Sequence, residues 1–146
     1  MKSKCVAQER DQRTFVLILD AGEEAFASIS RFAEREGLHG ASLTALGAFE
    51  KAKVGWFDPK ERTYKPIPIG EQCEVLSAIG DVATGDDGKP SLHVHVVLGL
   101  RDGTTRGGHL MEATVAPTLE VTLVETAAHL RRKKHPDLGL ALIDLD

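Results

Sequence analysis

Several features that would announce a specialised chemistry are missing from this chain of 146 residues. Cysteine is scarce. Cys5 and Cys73 lie far apart and not at metal-ligand spacing, which argues against a disulfide framework or a thiolate zinc knuckle and suits free thiols in a reducing compartment. Long apolar runs are lacking: the longest, Phe15 to Leu19, is far too short to span a bilayer, and the polar stretch Met1 to Arg13 has no secretory apolar core. The expectation is a cytoplasmic protein with no membrane association. Aromatic residues make up only 5% of the chain, leaving few platforms for stacking bases. An excess of positive charge is also absent, since 18 Lys and Arg face 22 Asp and Glu for a net charge of -4. Any contact with nucleic acid therefore needs a local basic patch or a basic partner. No glycine-lysine phosphate loop, dinucleotide fingerprint or serine nucleophile elbow appears, so nucleotide hydrolysis, hydride transfer and serine esterase chemistry have no support. Gly85-Asp86-Asp87-Gly88 has too few oxygen ligands after it for a calcium loop and reads as a surface turn.

What is present is enough hydrophobic content, 42%, to bury one core without staples. Residues 1–12 are polar and without periodicity, and the fold is expected to begin near Arg13. Thr14 to Leu19 is β-branched and apolar, as a buried strand is. Asp20 followed by Glu23 has capping-box form, and Phe26, Ile29, Phe32 and Ala33 recur at helical spacing up to Gly37, which predicts a helix over 23–36. Strand-like segments follow at 42–49, 53–57, 62–67, 74–79, 92–100 and 120–126, separated by turn signals that include Asp58-Pro59 and the hairpin dipeptide Asp102-Gly103. One helix followed by many strands indicates an α+β domain with a mainly antiparallel sheet, spanning 13–128. The segment 129–146 changes character, from the basic run Arg131-Arg132-Lys133-Lys134 to the apolar Leu138 to Ile143, and is expected to pack on the body or on a neighbouring subunit.

The residues with most chemistry are histidines. His93 and His95 stand two apart in an apolar strand, so the pleat puts both on one face with their Cα atoms about 6.5–7 Å apart. A hairpin at Asp102-Gly103 returns Gly107-Gly108-His109 alongside and can supply a third imidazole, with glycines allowing close backbone approach. Three neutral imidazoles form a known zinc arrangement, in which a bound water has its pKa lowered to about 7 and a position stays open for a substrate or anion. The same residues serve equally as a structural site, or as hydrogen-bonding partners in a polar groove. His39, His129 and His135 read as surface or locally satisfied side chains.

Leu92-His93-Val94-His95, then Asp102-Gly103, Gly107-Gly108-His109-Leu110 and Leu119-Glu120-Val121, resemble in order and spacing the central signature of the PPC domain family, conserved in plants and prokaryotes. Gly70 to Ser77 resembles that family's Gly-Arg-Phe-Glu-Ile-Leu segment, and Asp20 to Glu23 its entry to the helix. The resemblance covers residues 13–126. It implies a mainly antiparallel sheet flanked by helices, association as a homotrimer, and a DNA-binding or regulatory role, since prokaryotic relatives carry that label. Two departures stand out: Glu71-Gln72-Cys73 replaces the family's Arg-Phe, and Ala113 stands where a glycine is usual. The first puts in doubt any function tied to that arginine.

Three functions are left in play. One is a DNA-binding or regulatory trimer, with Arg131, Arg132, Lys133 and Lys134 as candidate DNA contacts and a metal site at His93, His95 and His109 holding zinc or another divalent transition metal. Another is a metal-dependent enzyme or small-molecule binder on the same histidines, with Glu74 or Glu112 as general base. The third is a trimeric protein-interaction scaffold.

Overall fold

Phe15, Leu17 and Leu19 alternate with less buried neighbours along the strand Gln12–Asp20, and this period of two turns one face of it into the core. The computed structural model describes residues 1–10 and 12–146; Asp11, in the polar segment 1–12, lies outside the described residues. In chain order the elements are β1 (Lys2–Glu9), β2 (Gln12–Asp20), α1 (Ala25–Glu36), β3 (Gly40–Asp58), β4 (Thr63–Ile69), β5 (Cys73–Thr84), β6 (Pro90–Gly99), β7 (Thr105–Glu125), β8 (Arg131–His135) and β9 (Leu140–Asp144). Among the described residues all nine strands join one sheet. Every ladder is antiparallel except the link between β5 and β8, a parallel bridge at Thr84 and Arg131. The ladders β3–β5, β5–β6, β6–β7 and β7–β3 form a closed circuit, so the central sheet curls around its own apolar face.

The helix covers that face. Ile29, Phe32 and Ala33 are buried, and Phe32 meets Phe15 edge to face with centroids 5.2 Å apart. Burying side chains the size of Ile29 and Phe32 stabilises the fold by about 1.5–3 kcal/mol each. The helix starts slightly later than the expected 23. Glu23 does reach back to the Asp20 N–H, at 2.8 Å, as in a capping box, but Glu24 is the cap and accepts from the N–H groups of Phe26 and Ala27. Gly37 ends the helix in the left-handed conformation at φ 63°. The expected flanking helices reduce to this one among the described residues, because the apolar face it leaves is closed by the curled sheet itself.

The expected segments 42–49 and 53–57 are one strand of 19 residues, β3, whose bends are absorbed by register shifts such as that between Ala45 and Gly47. The expected 120–126 falls on the last residues of β7, which starts at Thr105, ends at Glu125 and runs 21 residues. Residues 2–9, outside the expected fold, form β1 and pair with β2; every one of them is exposed, so no burial pattern marked them. The tail carries the β8–β9 hairpin, joined to the body at Thr84. No helix among the described residues is long and apolar enough to cross a membrane.

Candidate metal centre

The site is built by two tight turns. Gly85 and Lys89 close the β5–β6 hairpin, and the register that follows places Asp81 opposite His93 and Ile79 opposite His95. Leu100 and Thr104 close the next, with Gly103 at φ 82° and the Asp102 carboxylate accepting from the Thr104 N–H and hydroxyl; this register places His95 directly opposite His109. Along β6 the residues Leu92, Val94, Val96 and Leu98 are buried, so His93 and His95 share the opposite, outer face.

The three imidazoles converge. Ring centroids are 4.9 Å apart for His93 and His95, 5.0 Å for His93 and His109, and 5.6 Å for His95 and His109. One ring nitrogen from each lies within 4.8 Å of the others. Tetrahedral ligands at about 2.0–2.1 Å from zinc are roughly 3.4 Å apart, so the rings would have to draw closer than the 4.8 Å limit to share an ion. Burial first, then the neighbouring His93 and His95 and the charge of Arg132, pull the His109 pKa down to about 4, so its ring is neutral at pH 7. Burial and His93 likewise lower that of His95. Nδ1 of His109 is buried without a hydrogen-bond partner, a condition that costs about 1–3 kcal/mol unless a ligand satisfies the group. Neutral nitrogen donors, close spacing and an orphaned ring atom are together what a divalent transition metal takes.

Around the rings stand groups that sequence reasoning missed. Tyr64 of β4 stacks on His109 with centroids 4.5 Å apart and planes at 23°. Asp81 faces His93, with Oδ2 3.7 Å from Nδ1, and its other oxygen accepts from Arg132 Nη2. Burial disfavours the Asp81 carboxylate, yet His93 and Arg132 outweigh it and hold its pKa below the ordinary value. The proposed general bases are elsewhere. Glu112 is exposed and bonded to Lys53, and exposed Glu74 lies opposite Gly99 in a separate groove with Glu71 and Arg101. The carboxylate beside the cluster is Asp81, because the hairpin register selects it.

The basic run is divided. Arg131, Lys133 and Lys134 are exposed, and Lys133 pairs with Asp144 at 3.3 Å. Arg132 is not a surface contact: it is 7% exposed, turned inward to Asp81 and the Ala141 carbonyl. His39 bonds the Thr84 hydroxyl at 2.9 Å and packs near His129, so both stand apart from the cluster. Ala113 donates its N–H to Glu24 at 2.9 Å, tying the helix cap to β7.

A curled, mainly antiparallel sheet with one covering helix and three histidines gathered on its outer face defines a mostly β protein with a candidate metal centre. The family model for the Plants and Prokaryotes Conserved domain, written PCC or PPC, matches residues 6–127. The chain belongs to that family. It is similar to a PPC protein of Pyrococcus horikoshii, at 35% identity over 90% of this chain and 91% of that one, with a TM-score of 0.84. It is also similar to a metal-containing protein of Archaeoglobus fulgidus, at 32% identity over 99% of both chains and a TM-score of 0.83. A structure from Ralstonia eutropha, named as a suspected DNA-binding protein, shares the fold at 24% identity, 90% and 91% coverage and a TM-score of 0.83. Among curated proteins, the bifunctional protein GlmU of Synechococcus sp. (strain JA-3-3Ab) is 25% identical over 134 residues, 91% of this chain. The chain spans only about a fifth of that protein's length, 20%.

Proposed function

We propose that this PPC domain is a metal-binding regulatory protein, with His93, His95 and His109 holding zinc or another divalent transition metal. The observation that carries this reading is the convergence of three ring nitrogens within 4.8 Å of one another across one hairpin. The similar Archaeoglobus protein, described as metal-containing, supports it. Three protein nitrogens leave a coordination position for a small ligand, so the same site suits a small-molecule binder or a metal-dependent enzyme. We further propose a cytoplasmic homotrimer. Leu46, Leu76, Ile79 and Val97 are large apolar side chains at 43–62% exposure on the sheet beside His95, a surface that a neighbouring subunit would cover.

The test is elemental analysis of protein purified without a histidine tag. Near one equivalent of metal per subunit is expected, and His95→Ala should remove it. Wild-type protein that takes up no zinc after incubation with a slight excess would overturn the reading. Light scattering is expected to give three times the chain mass of 15.8 kDa.

Direct DNA binding is a second reading, favoured by exposed Arg131, Lys133 and Lys134, which a trimer would present three times. It is the weaker one, since Arg132 is committed internally and Lys133 has a carboxylate partner. A gel shift on mixed duplex at low salt separates the two. No shift at micromolar protein excludes direct binding and leaves regulation through the metal site or a protein partner.

A further inference from the structure

The carboxylate of Asp81 is shared between two groups from separate segments of the chain, His93 on β6 and Arg132 on β8. It lies across the β5–β6 ladder from His93, with Oδ2 3.7 Å from Nδ1, close but longer than a hydrogen bond. Its other oxygen receives Arg132 Nη2, and Arg132 also donates to the Ala141 carbonyl at 3.3 Å. Arg132 is more than nine-tenths buried, although it belongs to a hairpin that joins the sheet at Thr84. Further ties are the Leu130 carbonyl accepting from the Thr84 N–H and the Lys134 N–H donating to the Asp86 carboxylate.

An ion pair with one partner buried and the other half-buried is a poor way to gain stability, because the cost of taking charge out of water offsets much of the attraction. An apolar side chain at 132 would hold the hairpin as well. What the pair does that an apolar residue cannot is fix the direction of a carboxylate against one particular imidazole. A histidine whose Nδ1–H is held by a carboxylate is locked in one tautomer and presents Nε2 as the donor to an ion.

We propose that Asp81 is a positioning residue for His93 and that Arg132 holds Asp81 in place, making the β8–β9 hairpin part of the support of the metal centre. This rests on the metal-binding reading of the three histidines. It assigns to Arg132 a task inside the protein in place of a contact with DNA.

Two measurements test it. In metal-free wild-type protein, long-range proton–nitrogen spectra should show His93 as the Nδ1–H tautomer, and Asp81→Asn should release it to a mixture; an Nε2–H tautomer in the wild type overturns the proposal whether or not the protein binds metal. In the second, zinc affinity is measured by competition with a chromophoric chelator for the wild type, Asp81→Asn and the double variant Asp81→Asn with Arg132→Met. The double variant carries no uncompensated buried charge and is expected to fold with stability near that of the wild type. Its zinc affinity should nonetheless fall about 10–100-fold, as should that of Asp81→Asn. Folded variants that bind zinc within twofold of the wild type would show the pair to be structural only. Should the double variant fail to fold, Asp81→Asn and the wild-type tautomer decide. A wild type that binds no zinc instead refutes the metal reading, and the tautomer result still judges the role of Asp81.

Discussion

His95 and His109 face each other directly across the β6–β7 ladder, with ring centroids 5.6 Å apart. Cross-strand partners are held opposite each other by the backbone ladder, so the two rings start from fixed, neighbouring positions. That preorganisation is what a metal would exploit. Zinc at about one hundred times its dissociation constant should therefore stabilise the folded wild type by about 2.7 kcal/mol. His95→Ala and His109→Ala should show no such gain. Urea titrations with and without zinc check this, and equal zinc stabilisation in all three proteins would place the ion somewhere else.

The position of β6 depends on a missing side chain. A Cβ on Gly80 would lie 2.2 Å from the His93 carbonyl oxygen and 3.0 Å from Val94 Cα, both backbone atoms that cannot swing aside. Gly80→Ala must push β6 away from β5 at the residue that carries the first imidazole. We expect a loss of about 3 kcal/mol, near the upper end for forced overpacking, together with loss of zinc uptake. Gly70→Ala is the control, because a Cβ there meets nothing within 4 Å, and it should change stability by no more than about 0.5 kcal/mol. Chemical-denaturation midpoints at constant slope give both values.

Much of this site could be read before the fold was known, and the limits of that reading are physical. The spacing of His93 and His95 placed both on one face through the period of the strand, and the Asp102-Gly103 turn returned His109 to them because a short hairpin leaves little choice of register. The same logic reaches Asp81, since the Gly85 to Lys89 turn fixes its pairing with His93. Arg132 and Tyr64 were out of reach. They arrive through a single parallel bridge to the tail and through β4 lying beyond β3, pairings between distant segments that local pattern does not encode. β1 was missed because a strand exposed along its whole length has no alternation to detect. The full lengths of β3 and β7 were missed because each bends and shifts register midway, so the apolar pattern changes phase within one strand.

Away from the site, Glu125 closes the end of the sheet. Its carboxylate accepts from Arg13 Nε at 2.7 Å and Nη2 at 2.8 Å, a two-pronged contact in which the glutamate is 12% exposed. The hydrogen bonds from Arg13 hold its pKa below the ordinary 4.5 even though burial acts the other way. Because the folded form holds the proton more weakly than the unfolded chain, this stabilisation is complete above the unfolded value and disappears as pH falls through the folded one. Glu125→Gln should cost about 1.5–3 kcal/mol at pH 7, and the gap between variant and wild type should close on acidification below about pH 4.5. A gap that stays constant down to pH 2.5 would show that the charge contributes nothing. Denaturation curves collected across that range decide it.

The ring of Tyr64 shields His109 from one side, stacked at 4.5 Å, and it fits there because Gly55 behind it has no side chain: a Cβ would come within 2.8 Å of Tyr64 Cδ1. The contact is one of ring faces and does not use the hydroxyl. Tyr64→Phe should therefore keep stability within about 0.5 kcal/mol, whereas Tyr64→Ala should lose about 1–3 kcal/mol, less than a fully buried aromatic because the ring is half exposed. Gly55→Ala offers an independent route to the same displacement, from behind the ring. If the stack is what orders the His109 imidazole, the ring resonances of His109 should shift in Tyr64→Ala and Gly55→Ala and remain in place in Tyr64→Phe. An unchanged His109 signal in all three would mean that the β6–β7 ladder alone holds the third imidazole.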